Sequence, residues 1–323
     1  LALFGAVPLF LSGTAPTFTD AYFESMSGLS TTGSTVLSGI DQLPHAVQFW
    51  RQEMQWLGGM GIIILAVAIL PILQVGGMQM YKAEVPGPVK DQKLTPRVNE
   101  TAKALWLLYL GLTVIAGVSL WLAGLEPFDA VAHAFTSVAT AGFSTHDASI
   151  GHFDNPLVEY LITAFMFLGG VNFALHFALL SGGGLRTYLG DPEFRTYAGL
   201  HLGAAALATT VLVAYGTYPS FEENFRRAIF QTVSIGTTTG YATADYAAWP
   251  SLLPFFLILS GFIMASAGST GGGIKTVRFL LLLKQGFRQS YMLIHPHAIA
   301  PLKLRERPVP ETVVQAVWGF FAV

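Results

Sequence analysis

The sequence predicts an all-α integral membrane protein built from repeated units, each containing a helix, a re-entrant half-helix with a loop, and a second helix. Hydrophobic residues make up 52% of the 323 residues and charged residues only 11%, with a mean hydropathy of +0.53. Several apolar runs reach the roughly 20 residues that cross the hydrocarbon of a bilayer. A short segment that ends near a glycine also occurs three times, about a hundred residues apart.

The three repeated segments share fixed spacings. They are TDAYFESMSGLSTTGST around Gly33, FDAVAHAFTSVATAGFST around Gly142, and RRAIFQTVSIGTTTGYAT around Gly240. An alanine lies twelve residues before each glycine, and a threonine lies two residues before it. Internal repetition of this kind indicates structurally equivalent units.

Each repeat combines a short amphipathic segment with a longer apolar run. The runs are Trp56–Val75, Ala104–Ala123, Leu157–Leu180, Leu200–Ala214, and Leu252–Ala265, which continues after a break into Leu280–Leu283. The short segment from Asp129 to Thr140 would rise about 18 Å as a helix, which reaches only the middle of the membrane. Non-helical backbone at that depth is tolerated only where it lines a protected, wet cavity. The repeats therefore predict re-entrant hairpins.

The loops at the ends of the half-helices have the chemistry of a cation site. A half-helix that enters from outside points its partially negative C-terminus inward. Small loop residues allow several backbones to converge, so that carbonyl oxygens replace the hydration shell of a cation. Glycine supplies the dihedral angles that a side chain would penalise. The predicted loops are Ser30-Thr31-Thr32-Gly33, Ala139-Thr140-Ala141-Gly142 and Thr237-Thr238-Thr239-Gly240.

Charge placement predicts the orientation of the chain. The segments 74–103, 181–197 and 275–311 hold 14 of the 17 Lys and Arg residues, so the positive-inside rule places them in the cytoplasm. The segments that flank the glycine loops hold 12 of the 19 acidic residues. The loops therefore open outward under a negative rim that concentrates cations. Arg51, just before an apolar run, is expected to anchor its helix at the outer interface.

A glycine-rich run, GSTGGGIKT, follows the third loop at Gly268–Thr276. It imitates a phosphate-binding P-loop, but Ile274 separates the last glycine from Lys275 and no strand precedes it. So much glycine holds a helix poorly, which favours a flexible gating loop within the membrane. We assign this gate to Gly268, Ser269, Thr270, Gly271, Gly272, Gly273 and Lys275. The pairs Gly58-Gly59 and Gly169-Gly170 are expected to allow close helix packing instead.

The sequence resembles the bacterial potassium-uptake subunits of the Trk/Ktr/HKT superfamily, and within it the TrkH type. The stretches that carry the resemblance are STTGST, SVATAGFSTHDASIG, GTTTGYATADYAAWP, ASAGSTGGGIK and IHPHA. The resemblance implies four repeats around one K+ pore, with Gly33, Gly142 and Gly240 as filter glycines. It also implies that backbone carbonyls bind K+ at Thr31, Thr32, Thr140, Ala141, Thr238 and Thr239. K+ is then the transported ion, and no organic cofactor is expected.

The resemblance also implies the surroundings of the subunit. It predicts a multi-pass homodimer in the bacterial inner membrane, with a nucleotide-binding, TrkA-like regulatory ring docked on its basic cytoplasmic face. The three repeats would occupy 1–80, 104–185 and 198–290, with a gating loop at 265–275. Cytoplasmic linkers would occupy 81–103 and 186–197, and 291–323 would hold a linker and the start of a fourth repeat. The family's N-terminal helix pair, the rest of its fourth repeat and the arginine of its last helix are expected to lie outside this chain.

Two function classes remain to be separated. The main alternative is a secondary transporter whose re-entrant hairpins bind an organic anion in the middle of the membrane. All three repeats present half-helix C-termini, whereas anion carriers point N-termini at the substrate, so the sequence favours the cation pathway. No nucleophile and base occur together in an enzyme-like pattern, and an enzyme is not expected. Passive flow and coupling to H+ or Na+ both remain open.

Overall fold

A computed structural model describes residues 1–64, 98–250, 252–296, 298, 300–304 and 307–322. These residues are mostly helical, and a two-residue antiparallel hairpin pairs β1 (Lys303–Leu304) with β2 (Arg307–Pro308). The predicted all-α class is confirmed. Most of the predicted linker 81–103, including Lys82, Lys90 and Lys93, lies outside the described residues.

The first two repeats follow the predicted order of elements. The first contains α1 (Ala2–Leu11), α2 (Phe18–Leu29) and α3 (His45–Ile64). The second contains α4 (Val98–Leu122), α5 (Pro127–Val138) and α6 (Pro156–Gly169), followed by α7 (Phe173–Ala178) and a π-helical turn (Leu179–Gly183). The middle helices, α2 and α5, are each 12 residues long.

The third repeat starts inside the segment predicted as the linker 186–197. A short helix α8 (Arg186–Leu189) precedes α9 (Pro192–Ala214), and the half-helix is α10 (Phe221–Gly236). The remaining helices are α11 (Leu253–Ser260), α12 (Thr276–Ile294) and α13 (Glu311–Ala322). The glycine-rich run lies between α11 and α12, where it interrupts the apolar run as predicted.

Local sequence signals explain where the half-helices begin. Thr17 caps α2 in a capping box, in which its hydroxyl accepts from the Asp20 amide while the Asp20 carboxylate accepts from the Thr17 amide. Ser220 caps α10 by accepting from the Glu223 amide at 3.0 Å, and Pro127 occupies the first turn of α5. From these caps the three helices run to the glycine loops, where they end.

Among the described residues, two helices are long and apolar enough to cross a membrane, Ala102–Leu122 and Pro192–Ala214. Only 28% and 39% of their most apolar windows are buried within the described structure, which leaves apolar surface for lipid. The apolar run Leu157–Leu180 does not form one straight helix. The helical segments Pro156–Gly169 and Phe173–Gly183 are bent by 95° relative to one another.

The bend has a visible cause in the glycine-rich run. The Ser266 amide donates to the Gly170 carbonyl at 3.0 Å, and the Thr270 amide donates to Gly169 at 3.2 Å. In return, the Phe173 amide donates to the Gly268 carbonyl at 3.0 Å. The run of the third repeat therefore replaces the helical hydrogen bonds that would have continued α6.

Candidate ion-conduction site

All three half-helices end in the same left-handed turn. The residue two before each glycine has a positive φ: Thr31 (55°), Thr140 (48°) and Thr238 (61°). The next amide reaches back five residues: Thr32 to Ser27 at 2.9 Å, Ala141 to Thr136 at 2.9 Å, and Thr239 to Ser234 at 2.8 Å. This is a Schellman cap with threonine where glycine is usual. A β-branched residue at positive φ is strained, and such strain concentrates at functional sites.

Backbone contact between the loops explains why Gly33 and Gly142 must be glycine. A Cβ added to Gly33 would collide with the carbonyl oxygen of Ala141, and one added to Gly142 would collide with that of Thr239. Both glycines have left-handed backbones, with φ of 76° and 85°. The loops of consecutive repeats are therefore in direct contact through carbonyl oxygens. Gly240 shares the conformation at φ 86°, but no described atom lies within 4 Å of a Cβ placed there.

Gln55 on α3 makes two hydrogen bonds to the backbone of the second loop. Its Nε2 donates to the Ala141 carbonyl at 2.8 Å, and its Oε1 accepts from the Phe143 amide at 2.9 Å. The two bonds fix the backbone on both sides of Gly142. Because a carbonyl oxygen has two lone pairs, Ala141 can accept this bond and still face a cation.

A buried ion pair supports the first two loops. The Arg51 Nη2 lies 2.7 Å from Glu24 Oε1, and both side chains are 0% exposed. Arg51 also donates to the Ser144 carbonyl at 3.3 Å, and its guanidinium lies 4.3 Å from the centre of the Phe143 ring. The prediction that Arg51 anchors its helix at the outer interface is therefore wrong. Its charge is instead neutralised by a carboxylate 27 residues earlier in the chain, a pairing that sequence spacing does not indicate.

A related cluster lies beside the third loop. Arg226 Nη1 lies 2.7 Å from Glu159 Oε2, and Arg227 Nη1 lies 3.4 Å from Glu159 Oε1. Arg227 also donates to the Thr243 carbonyl, three residues after Gly240. Charged groups on α6 and α10 thus hold the segment that leaves the third loop.

The glycine-rich run lies against the inner ends of the second and third loops. The Thr270 hydroxyl is 3.0 Å from the carbonyl oxygens of both Val138 and Gly169, and 3.1 Å from the Thr140 hydroxyl. The Gly272 amide donates to the Thr238 hydroxyl at 2.6 Å. Two of the three strained threonines, Thr140 and Thr238, therefore contact the predicted gate.

The run itself is firmly held. Ser269 and Thr270 are each 2% exposed, and the Ala267 amide donates to Glu193 on α9 at 2.6 Å. The Lys275 ammonium donates to the Gly271 carbonyl and so closes the turn. The structure brings together all the predicted gate residues. Ser269, Thr270 and Gly271 are buried, whereas Gly268, Gly272 and Gly273 are exposed. The movement of this run as a gate stays a prediction.

The predicted acidic outer rim contains a histidine cluster that sequence reasoning missed. His146 Nδ1 lies 2.5 Å from Asp41 Oδ1, and the ring of His152 stacks on that of His146. The hydrogen bond from His146 lowers the pKa of Asp41 from 3.8 to about 2, so this carboxylate is charged at neutral pH. The histidines are recognisable in the stretch HDASIGH, but their carboxylate partner lies 105 residues earlier.

Comparisons with known proteins agree with this geometry. The profile of the TrkH family, described as cation transport proteins, matches residues 1–323. The chain belongs to the TrkH family. It is 53% identical to the Trk system potassium uptake protein TrkH of Salmonella typhimurium over 98% of this chain and 66% of that protein. It is 39% identical to the Trk system potassium uptake protein TrkG of Escherichia coli, over 99% of this chain and 66% of that protein.

A solved TrkH structure confirms the fold. The crystal structure of the potassium transporter TrkH from Vibrio parahaemolyticus superposes with a TM-score of 0.89 at 46% identity, covering 100% of this chain and 66% of that one. The chain thus spans slightly less than two thirds of the length of these TrkH relatives. The resemblance drawn from the motifs is confirmed, and so is the assignment to a membrane transport family.

Proposed function

We propose that the full-length protein carries K+ into the cell across the bacterial inner membrane, through a selectivity filter of backbone carbonyls. The observation that carries the proposal is the threefold left-handed turn at the half-helix ends, with consecutive loops in backbone contact. Its TrkH relatives are named as potassium uptake proteins. Dehydrating a cation requires several carbonyl oxygens around one axis, and converging loops supply them.

The filter residues divide into three roles. The carbonyls of Thr31, Thr32, Thr140, Ala141, Thr238 and Thr239, with those of the three glycines, are the proposed K+ ligands. Gly33, Gly142 and Gly240 allow the backbones to approach one another. The half-helices direct their partially negative ends at the ion.

The run from Gly268 to Lys275 is the proposed gate. It lies against the inner side of the second and third loops, and the Thr140 and Thr238 hydroxyls join it to the filter. Glu193 links the same run to α9. A movement of the cytoplasmic segments can therefore be transmitted to the filter through a few hydrogen bonds.

We further propose that the subunit is a homodimer and that a cytosolic nucleotide-binding ring docks on its basic inner face. Lys284 donates to the Lys303 carbonyl at 2.9 Å, and Arg288 pairs with Glu311 at 2.9 Å, so these segments form one basic surface. Neutralising Lys284 and Lys303 should weaken capture of the ring, and the difference from wild type should shrink as added salt screens these charges. Equal capture by wild type and the double variant would place docking elsewhere.

Flux in proteoliposomes tests the main proposal. Full-length protein should pass Rb+ in preference to Na+ and should not pass a labelled anionic amino acid. Uptake of the amino acid with no Rb+ flux would instead support the organic-anion transporter. Equal flux of Rb+ and Na+ would reject a selective filter.

A further inference from the structure

Metal-ligating side chains from two repeats meet at the outer surface, away from the filter carbonyls. Asp41 belongs to a short helical turn (Ile40–Gln42) in the first repeat, while His146 and His152 come from the outer loop of the second. One ligand atom from each of these three residues lies within 4.8 Å of the others. The cluster plays no part in the proposed conduction path.

The three groups are close enough to share one ion. His146 Nδ1 is 2.5 Å from Asp41 Oδ1. The two imidazole rings are stacked, parallel within 3° with their centres 3.6 Å apart. Because an imidazole binds a metal ion in the plane of its ring, the exposed His152 ring must turn out of this stack to share an ion with His146. A Zn2+ ion with bonds of about 2.1 Å to nitrogen and oxygen would hold these ligand atoms about 3.4 Å apart in tetrahedral geometry. The Asp41 side chain is 41% exposed, so it can turn and lengthen the distance between its Oδ1 and His146 Nδ1 by about 1 Å.

Surrounding hydrogen bonds orient the ligands. His146 Nε2, the ring nitrogen opposite Asp41, lies 3.4 Å from Asp129 Oδ2. Asp129 is itself held by the Thr145 hydroxyl, which donates to Oδ1 at 2.6 Å. The Asp147 amide donates to the second oxygen of Asp41 at 3.1 Å. A carboxylate behind a histidine is the usual arrangement at a metal centre, because it fixes the tautomer and the ring orientation.

We propose that Asp41, His146 and His152 form a binding site for a divalent transition metal, with Zn2+ as the fitting ion. Two imidazoles and one carboxylate match the three protein ligands of an open zinc site, which leaves a fourth position for water. Imidazole nitrogen discriminates against Mg2+ and Ca2+, which take oxygen ligands. Asp129 acts as a positioning residue through His146.

The bound ion would connect the outer loops of two repeats. His146 lies four residues after Gly142, so their Cα atoms are at most about 15 Å apart. A divalent charge at that distance opposes the concentration of K+ by the acidic rim. The effect on flux rests on the proposed function, whereas metal binding does not. A binding measurement therefore tests the site even if the transport proposal fails.

Calorimetric titration of chelator-stripped, full-length protein with ZnCl2 and MgCl2 tests the site. We expect one Zn2+ per chain and no comparable Mg2+ binding. His146→Ala and His152→Gln should each weaken Zn2+ binding at least tenfold, and Asp129→Asn by about 10–100-fold. The matched control is His45→Ala, an outer histidine that stacks on Phe128 instead, and its affinity should equal that of wild type.

A second readout separates lost ligands from lost folding. Co2+ in the same site should give the visible absorption of a nitrogen-ligated tetrahedral ion, and His146→Ala should abolish it. The metal-free melting temperature of His152→Gln should match wild type, because the His152 side chain is exposed, whereas those of His146 and Asp129 are only 17% and 14% exposed. Unchanged Zn2+ affinity in both histidine variants, or Mg2+ binding as tight as Zn2+ binding, would overturn the proposal.

Discussion

Replacing Gly142 with serine should lower the K+/Na+ selectivity of a protein that still folds. The new Cβ would occupy the position of the Thr239 carbonyl oxygen, so that oxygen must withdraw by more than an ångström. Serine must also adopt φ of 85°, and a left-handed backbone costs a non-glycine residue about 1–2 kcal/mol. We expect K+/Na+ discrimination to fall at least tenfold, which corresponds to about 1.4 kcal/mol.

A matched glycine separates the collision from the backbone strain. Gly216, between α9 and α10, has φ of 62°, and no described atom lies within 4 Å of an added Cβ. Gly216→Ser should therefore lose only the about 1–2 kcal/mol of backbone strain and keep its selectivity. The assay is competitive Rb+ and Na+ flux in proteoliposomes, with melting temperatures of both variants. Selectivity retained in a well-folded Gly142→Ser protein would refute the role of loop contact in selection.

Three further predictions follow from the contacts around the loops. Glu24→Gln leaves the Arg51 charge buried and unpaired, so it should destabilise the fold by about 3–5 kcal/mol in chemical unfolding. Gln55→Leu removes both bonds to the second loop and should lower selectivity and stability, the latter by about 1–3 kcal/mol. Gln52→Leu on the same helix should be neutral or stabilising, because no described group bonds its amide. Thr270→Val should raise basal Rb+ flux several-fold with selectivity intact. Its control, Thr210→Val, loses only a bond to its own helix and should leave flux unchanged.

Short-range sequence signals predicted most of the local structure. The half-helix expected from Asp129 to Thr140 is α5 (Pro127–Val138), which is also 12 residues long but starts and ends two residues earlier. The sequence also predicted glycine where the loops approach one another, because carbonyl oxygens can surround a cation only if the backbones converge. The glycine pair at Gly169-Gly170 is closely packed as expected, since an added Cβ would approach the Val138 carbonyl and the Tyr197 hydroxyl.

The features that the sequence did not predict depend on contacts between residues far apart in the chain. The bend after α6 depends on hydrogen bonds from a segment about a hundred residues later. The burial of Arg51 depends on Glu24 in another helix, and the histidine cluster depends on Asp41 in another repeat. The left-handed threonines were unexpected because glycine usually occupies that position. Two of them, Thr140 and Thr238, make tertiary contacts with the glycine-rich run through their hydroxyls, which glycine could not make.

The location of bound Rb+ tests the central claim most directly. Crystals of the full-length protein grown in Rb+ should show anomalous peaks on the axis between the three loops, coordinated by carbonyl oxygens of residues such as Thr32, Ala141 and Thr239. Gly142→Ser crystals should lose or shift those peaks. Rb+ bound only at the acidic outer rim, in protein that still transports Rb+ selectively, would contradict the account.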